Sequence, residues 1–107
     1  MRSDAIFTDF IALLEVHCRN ERRVGWYAEQ LNITPKYLSE CIKTVSHRTP
    51  NDWIDFYVIQ ELRIALKETT RTIKVMAQEL HFPNQSFLGK YFKEHVGMSP
   101  KEYRNSK

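Results

Sequence analysis

The chain has 107 residues, a length that suits one domain or two very small ones. Apolar residues make up 42% and charged residues 27%, which is typical of a globular protein, and three Gly and four Pro are too few for a sandwich or barrel rich in tight turns. The net charge of +3 permits a polyanionic partner without requiring one.

The first half of the chain shows three helical patterns separated by polar breaks. Apolar residues recur at helical spacing from Asp4 to about Cys18, and a shorter pattern runs from Val24 to about Leu31. Thr34-Pro35 then combines a good N-cap with a proline at the first helical position. This signal predicts a third helix from Pro35 to about Thr44.

The longest predicted helix follows a second Thr-Pro pair, Thr49-Pro50, and runs to about Lys67. Its apolar residues cover most of the circumference, which indicates burial on more than one side. We therefore predict a central connector that packs against both halves of the chain. The apolar stripe consists of Trp53, Ile54, Tyr57, Val58, Leu62, Ala65 and Leu66, broadened by Phe56, Ile59 and Ile64.

Three shorter helices are predicted in the second half. The first spans Thr72 to about Leu80, and Pro83-Asn84 opens the second, which runs to about His95. Gly97 stands where a glycine commonly ends a helix, and Ser99-Pro100 opens a last helix through Tyr103. No segment alternates with a period of two, so the prediction is an all-α fold of about seven helices.

An internal repeat relates the two halves of the chain. Each half carries a short helix with a small Ala, a turn seated by an apolar residue, and a second helix, and the second half has one extra residue in its turn. A shift of 50 residues places Tyr37-Leu38 on Phe87-Leu88, Ile42-Lys43 on Phe92-Lys93, Thr49-Pro50 on Ser99-Pro100 and Trp53 on Tyr103, and a shift of 49 places Ala28 on Ala77, Leu31 on Leu80 and Ile33 on Phe82.

This pattern is that of a helix-turn-helix, whose second helix can enter a DNA major groove about 12 Å wide. Periodicity alone leaves a plain duplicated helical hairpin in a bundle as an equal alternative. A connector of about 17 residues is roughly 25 Å long at 1.5 Å per residue. Such a rod can hold two recognition helices about one DNA turn apart, roughly 34 Å.

Beyond the repeat, the residues resemble those of a known family. One segment closely resembles the second unit of AraC-type transcription regulators. It consists of the run Ile73 to Lys93, IKVMAQELHFPNQSFLGKYFK, followed by Gly97-Met98-Ser99-Pro100 and Tyr103-Arg104. The segment from Tyr27-Ala28 through Tyr37-Leu38-Ser39 to Thr49-Pro50 is similar to that family's first unit. The resemblance covers about Val24 to Arg104.

The resemblance implies a bacterial, sequence-specific, double-stranded-DNA-binding module of a transcription regulator. It implies two helix-turn-helix subdomains joined by the long helix, which we divide as 1–50, 51–67 (the connector) and 68–107. Family members usually carry an N-terminal sensing or dimerisation domain, although a few are stand-alone modules. We therefore expect a fragment of a larger regulator, with that missing domain and RNA polymerase as further partners and with no cofactor.

In the family the third and sixth helices read DNA. Carried over by motif, the outward positions of the first reader are Lys36, Ser39, Glu40 and Lys43, and those of the second are Gln85, Ser86, Gly89, Lys90 and Lys93. On the opposite faces, which we interpret as core, lie Tyr37, Leu38, Ile42, Phe87, Leu88 and Phe92.

Side-chain chemistry suggests a role for most of these positions. Gln85 can pair with adenine, and Lys90 with O6 and N7 of guanine. Lys43 and Lys93 lie late in their helices and suit phosphates, whereas Lys36, near a helix N-terminus, suits a base or a phosphate. For each lysine the alternative is a solvated surface charge.

Glu40 and Gly89 are harder to assign. Phosphates repel a carboxylate, so Glu40 would read DNA only by accepting a hydrogen bond from N4 of cytosine. Gly89 has no side chain and would only permit close approach of the helix.

The chain departs from the family pattern at three positions. His47 and His81 stand where glycine is usual, and a positive φ there would cost roughly 1 kcal/mol each. A turn of different shape is the alternative, and it would change the tilt of the reader. Glu40 replaces a residue that is usually Arg-like, so the base contacts of the first reader are the weaker inference.

The remaining residues of possible chemical interest favour ordinary roles. Cys18 and Cys41 fall in apolar helical patterns, which favours two reduced core thiols over a disulfide. The histidines and cysteines lack the spacing of zinc ligands. No apolar run approaches 18 residues and Met1-Arg2-Ser3-Asp4 lacks a signal core, so we expect a cytoplasmic protein without membrane contact.

Two other classes of function are alternatives to DNA binding. An enzyme is disfavoured because the sequence has no glycine-rich phosphate loop, no acid–base pair at a plausible spacing and no nucleophile motif. A helical protein-interaction module without DNA affinity is the second alternative. Salt dependence separates it from DNA binding, which releases counterions and weakens steeply as salt rises.

Overall fold

Seven helices make up the regular structure of residues 2–107, the part of the chain that the computed structural model describes, and no strand occurs in that part. The all-α prediction is therefore confirmed. None of these helices combines the length and apolar character needed to cross a bilayer. In chain order the helices are α1 (Arg2–His17), α2 (Val24–Gln30), α3 (Pro35–Ser46), α4 (Pro50–Glu68), α5 (Ile73–Glu79), α6 (Gln85–Val96) and α7 (Pro100–Asn105).

Helix starts follow local hydrogen bonds that the sequence signals. Thr34 Oγ1 accepts from the Tyr37 N–H at 3.1 Å and caps α3, while Asn84 Oδ1 accepts from the Phe87 N–H at 2.8 Å and caps α6. Such caps satisfy backbone donors that a helix leaves unpaired in its first turn. These caps therefore fix the first residue of α3 and of α6.

Two helix ends differ from their predictions. Helix α7 continues past Tyr103 to Asn105, and helix α3 continues past Thr44 to Ser46, where the hydroxyls of Thr44 and Ser46 bond back into the helix. Thr44 Oγ1 donates to the Glu40 carbonyl and Ser46 Oγ to the Ile42 carbonyl, each at 2.7 Å. Bonds to the carbonyl four residues earlier keep both side chains within the helix, although they slightly weaken it.

The chain divides into two compact units, one ending at Tyr57 and the other beginning at Val58, so α4 begins in the first and ends in the second. In the first unit α1 packs against α3. The Phe10 and Tyr27 rings meet edge to face at 5.5 Å, and both residues are fully buried. The Tyr27 hydroxyl donates to the Glu21 carbonyl at 2.7 Å, and burial raises the pKa of that phenol.

The second unit packs α6 against α5 and α7. Leu88 and Phe92 on α6 are fully buried, and the Phe92 ring meets Tyr103 edge to face at 5.4 Å. Arg104 ties the C-terminus of α4 to α7, because its Nε donates to the Leu66 carbonyl at 2.9 Å. A guanidinium at that helix end also suits the negative end of the helix dipole.

Two predictions about buried residues have different outcomes. Cys18 and Cys41 are buried, as predicted. The apolar stripe of α4 is wider than its buried face: Phe56 is 44% exposed and Ile64 52% exposed. For these two residues the prediction of burial is wrong, because no neighbouring element covers that edge of the helix within its own unit.

The turns of the two units repeat the same backbone geometry. His47 (φ 62°) and Gly97 (φ 91°) follow the presumed readers, and Asn32 (φ 56°) and His81 (φ 59°) lie between the two helices of each unit. Both histidines therefore adopt the left-handed conformation expected of a glycine. The turn keeps its usual shape, and the alternative of a differently shaped turn is wrong.

Strain at His47 leads to a stability prediction. An L-residue with φ near 60° costs roughly 1 kcal/mol, although His tolerates this region better than most residues. We expect His47→Gly to raise the free energy of unfolding by up to about 1 kcal/mol, measured as an increased urea midpoint. The reverse change at the matching position, Gly97→His, should lower the midpoint. A His47→Gly midpoint at or below that of the parent chain would contradict the strain.

Candidate nucleic-acid interface

Four predicted site residues share one face of α3. Lys36, Ser39, Glu40 and Lys43 follow the spacing i, i+3, i+4, i+7, which places them along one side of a helix. Ser39 is half-buried, and the other three are exposed. On the inner side, Leu38, Cys41 and Ile42 are buried and hold the helix against its unit. The structure thus brings the four residues together on the solvent side of α3.

The predicted site residues of α6 form the equivalent face of the second unit. Gln85, Ser86, Lys90 and Lys93 are exposed and Gly89 is half-buried. A Cβ added at Gly89 would meet no atom within 4 Å, so the protein itself does not require a glycine there. The open space at Gly89 would allow a ligand to approach this face of α6 closely.

The two faces match residue for residue at a shift of 50. Lys43 corresponds to Lys93, and both precede a residue with positive φ by four positions and offer it their carbonyl, to the His47 N–H at 2.9 Å and the Gly97 N–H at 2.8 Å. The faces differ in charge at two positions: Lys36 of α3 corresponds to the neutral Ser86 of α6, and Glu40 corresponds to Lys90, so the site residues carry a net charge of +1 on α3 and +2 on α6. The α6 face is therefore the more favourable of the two toward phosphates.

Within residues 2–107, the lysines of these faces form no hydrogen bond or ion pair, whereas two arginines near α2 and α5 do. No hydrogen bond or ion pair joins the side chains of the four lysines to another described residue. By contrast, Arg23 Nε lies 2.8 Å from Glu21 Oε1, and Arg71 pairs with Glu79. The hydrogen bond from Arg23 lowers the pKa of the Glu21 carboxyl. The lysines of the reader faces therefore carry positive charge that no ion pair among the described residues neutralises.

One residue assigned to the core lies at the surface instead. Phe87 is 53% exposed, so the prediction of a core role is wrong for this residue. Residues advance by about 100° around a helix, and Phe87 therefore lies one step from buried Leu88, at the edge of the reader face. Tyr37, at the matching position of α3, is half-buried.

Arg48 was not singled out in the sequence. It follows α3, is exposed, and its Cζ lies 5.7 Å from the centre of the Trp53 ring. The Trp53 Nε1–H donates to Ser46 Oγ at 2.9 Å, which fixes the indole that Arg48 covers. The sequence did carry a signal for this residue. Arg48 is a basic residue two positions after the end of α3, and Trp53 follows it five residues later.

Together these features define a DNA-binding domain with two helix-turn-helix units. Each unit has a short first helix, a turn with a left-handed residue and a capped second helix, and the second turn is one residue longer than the first, as predicted. The polar face of that second helix is the surface that a helix-turn-helix presents to the major groove.

Comparison with known proteins gives the family. Residues 27–106 match the model of a helix-turn-helix domain. The chain is 28% identical over 96 residues to the uncharacterized HTH-type transcriptional regulator YobQ of Bacillus subtilis (strain 168), covering 90% of this chain and 40% of YobQ. It is 25% identical over 105 residues to the regulatory protein SoxS of Escherichia coli (strain K12), covering 98% of both chains.

A solved structure has the same fold. The C-terminal domain of AraT, a response regulator from Geobacillus stearothermophilus, superposes with a TM-score of 0.88 at 23% identity, covering 95% of this chain and 85% of that one. This chain belongs to the AraC-type helix-turn-helix family of transcription regulators. Its function is sequence-specific DNA binding in transcription regulation, and the family is not one of enzymes.

Proposed function

We propose that α3 and α6 are the two reading helices and that each inserts its polar face into a major-groove segment of one asymmetric DNA site. The observation that carries this proposal is the pair of matched faces described above. Each lies on the second helix of a helix-turn-helix unit, and each carries exposed lysines whose side chains form no hydrogen bond or ion pair with a described residue. Two readers in one chain remove the need for a palindromic site.

On α6, Gln85 and Lys90 are assigned to bases. Gln85 is the first helical residue and Lys90 lies near the middle of the helix, and both are exposed. A glutamine amide can bond N6 and N7 of adenine, and a lysine can bond O6 and N7 of guanine. Lys93 lies in the last turn and is assigned to a phosphate.

On α3, phosphate contacts are expected to contribute more than base contacts. Lys36 and Lys43 bracket Glu40, which phosphates repel. Glu40 therefore contributes to recognition only where N4 of a cytosine donates to its carboxylate. Arg48, held over Trp53, is a further candidate for a phosphate contact beside this reader.

We also propose the setting in which the module acts. The chain spans about 40% of the length of YobQ but nearly all of SoxS. A sensing or dimerisation domain, and contact with RNA polymerase, are therefore proposed for the full regulator. We place it in the cytoplasm, where bacterial DNA lies.

A selection from random duplexes followed by salt titration of the enriched site tests the reading helices. Two informative blocks about one helical turn apart, roughly 10 base pairs, are expected if both α3 and α6 read bases. The affinity should fall steeply with added salt, because each neutralised phosphate contributes a slope of about −0.9.

Other outcomes are equally informative. A single informative block would mean that α3 only positions the domain and that Glu40 does not read cytosine. An absence of enrichment together with an absence of salt dependence would contradict DNA reading by this chain. The better interpretation would then be a helical module that binds protein partners.

A further inference from the structure

Phe87 differs from the other exposed apolar residues by its position. Within residues 2–107 the large hydrophobic side chains at the surface lie on α1, α4, α5 and α6, and Phe87 is the one on a reader helix. Single exposed apolar residues are common and need no explanation by themselves. An exposed phenyl ring in the first turn of a helix that reads DNA is a more specific observation.

The ring of Phe87 is held in place by its neighbours. The Phe87 N–H is bonded to the cap residue Asn84 at 2.8 Å, and the ring centre lies 6.2 Å from that of Phe82, which is 8% exposed. The outer side of the ring lines a shallow depression together with Lys90, Tyr91 and Glu94. An apolar surface therefore lies directly beside the lysine assigned to guanine.

We propose that Phe87 is a specificity-determining residue that packs against the 5-methyl group of a thymine next to the base read by Lys90. In the major groove the thymine methyl is the one apolar group by which a base pair can be recognised, and phenylalanine is among the side chains that contact it. The ring already lies beside the Phe82 ring at 6.2 Å, so less conformational freedom is lost on binding than for a side chain without a neighbour. The inference rests on the proposed role of α6 as a reader.

The test removes the methyl group alone. In the enriched duplex, each thymine of the block read by α6 is replaced in turn by deoxyuridine, which keeps base pairing and lacks only that methyl. The affinity of the chain and of Phe87→Ala is measured by fluorescence anisotropy. One replacement should weaken binding by the parent chain about fourfold, the equivalent of one buried methyl-sized group. The same replacement should leave binding by Phe87→Ala unchanged.

Ile64→Ala is the matched control, because Ile64 is 52% exposed in the same unit but lies on α4. It should retain the full sensitivity to deoxyuridine. The proposal is overturned if Phe87→Ala loses the same factor on thymine and deoxyuridine duplexes, or if the α6 block contains no thymine. An absence of any enriched duplex would instead remove the proposed function on which the inference rests.

Discussion

Replacing Phe92 by alanine is expected to lower the free energy of unfolding of the second unit by about 3–5 kcal/mol. Phe92 has no exposed surface and its ring meets Tyr103 edge to face, so truncation leaves a cavity between α6 and α7. Because α6 carries the Lys90 face on its other side, DNA affinity should fall with stability. Chemical denaturation followed by circular dichroism, with hydrogen exchange of the α5–α7 amides, measures both the size and the location of the loss.

The control for this prediction is Phe56→Ala, which removes the same group from a ring that is 44% exposed on α4. A cost below about 1 kcal/mol is expected there, because most surface substitutions have small effects. Equal losses in the two variants would mean that Phe92 is not the core residue of α6 that its burial indicates.

Removing Lys90 should reduce discrimination between sequences, whereas removing Lys93 should weaken all binding alike. A base contact by lysine is worth about 1–3 kcal/mol of discrimination. We therefore expect Lys90→Ala to lose roughly 5- to 150-fold on the enriched site, with little change on a scrambled duplex. Lys93→Ala should weaken both duplexes by one factor and reduce the salt slope by about 1. Competition binding at several salt concentrations measures these quantities.

Lys101→Ala is the matched control, since Lys101 is an exposed lysine on α7 outside the reader face. It should leave discrimination unchanged. If Lys90→Ala weakened the enriched and scrambled duplexes equally, Lys90 would be a phosphate contact and the guanine assignment would be wrong.

Much of the fold was predictable because its information is local. The Thr34, Asn84 and Ser99 caps act on backbone donors within three residues. The Ser99 backbone N–H also donates a reciprocal bond to the Glu102 carboxylate at 2.9 Å, and this bond lowers the pKa of Glu102. Helical periodicity is likewise readable within a few turns. Because the two units repeat, a feature predicted for one unit was predicted for the other as well. The same alignment of the halves also predicted the longer second turn.

Backbone strain was only partly predictable from sequence. His47 and His81 were recognised as replacements for glycine, and both have positive φ. Asn32 shares that conformation and was missed, although the shift of 49 that relates the turns places it on His81. Asparagine adopts this region readily, so the residue type alone gave no sign of conflict.

Sequence alone therefore determined the seven helices, the capped starts of α3 and α6, the duplicated units and the polar faces of those two helices, because each depends on hydrogen bonds and periodicity within a short stretch. Only the tertiary structure decided which apolar side chains are covered. Phe87 and Ile64 have the same apolar character as buried neighbours, but no element of their unit packs over them. It also decided that Arg104 caps the end of α4 at Leu66. Burial and contacts of this kind depend on residues far apart in the chain, which no local pattern records.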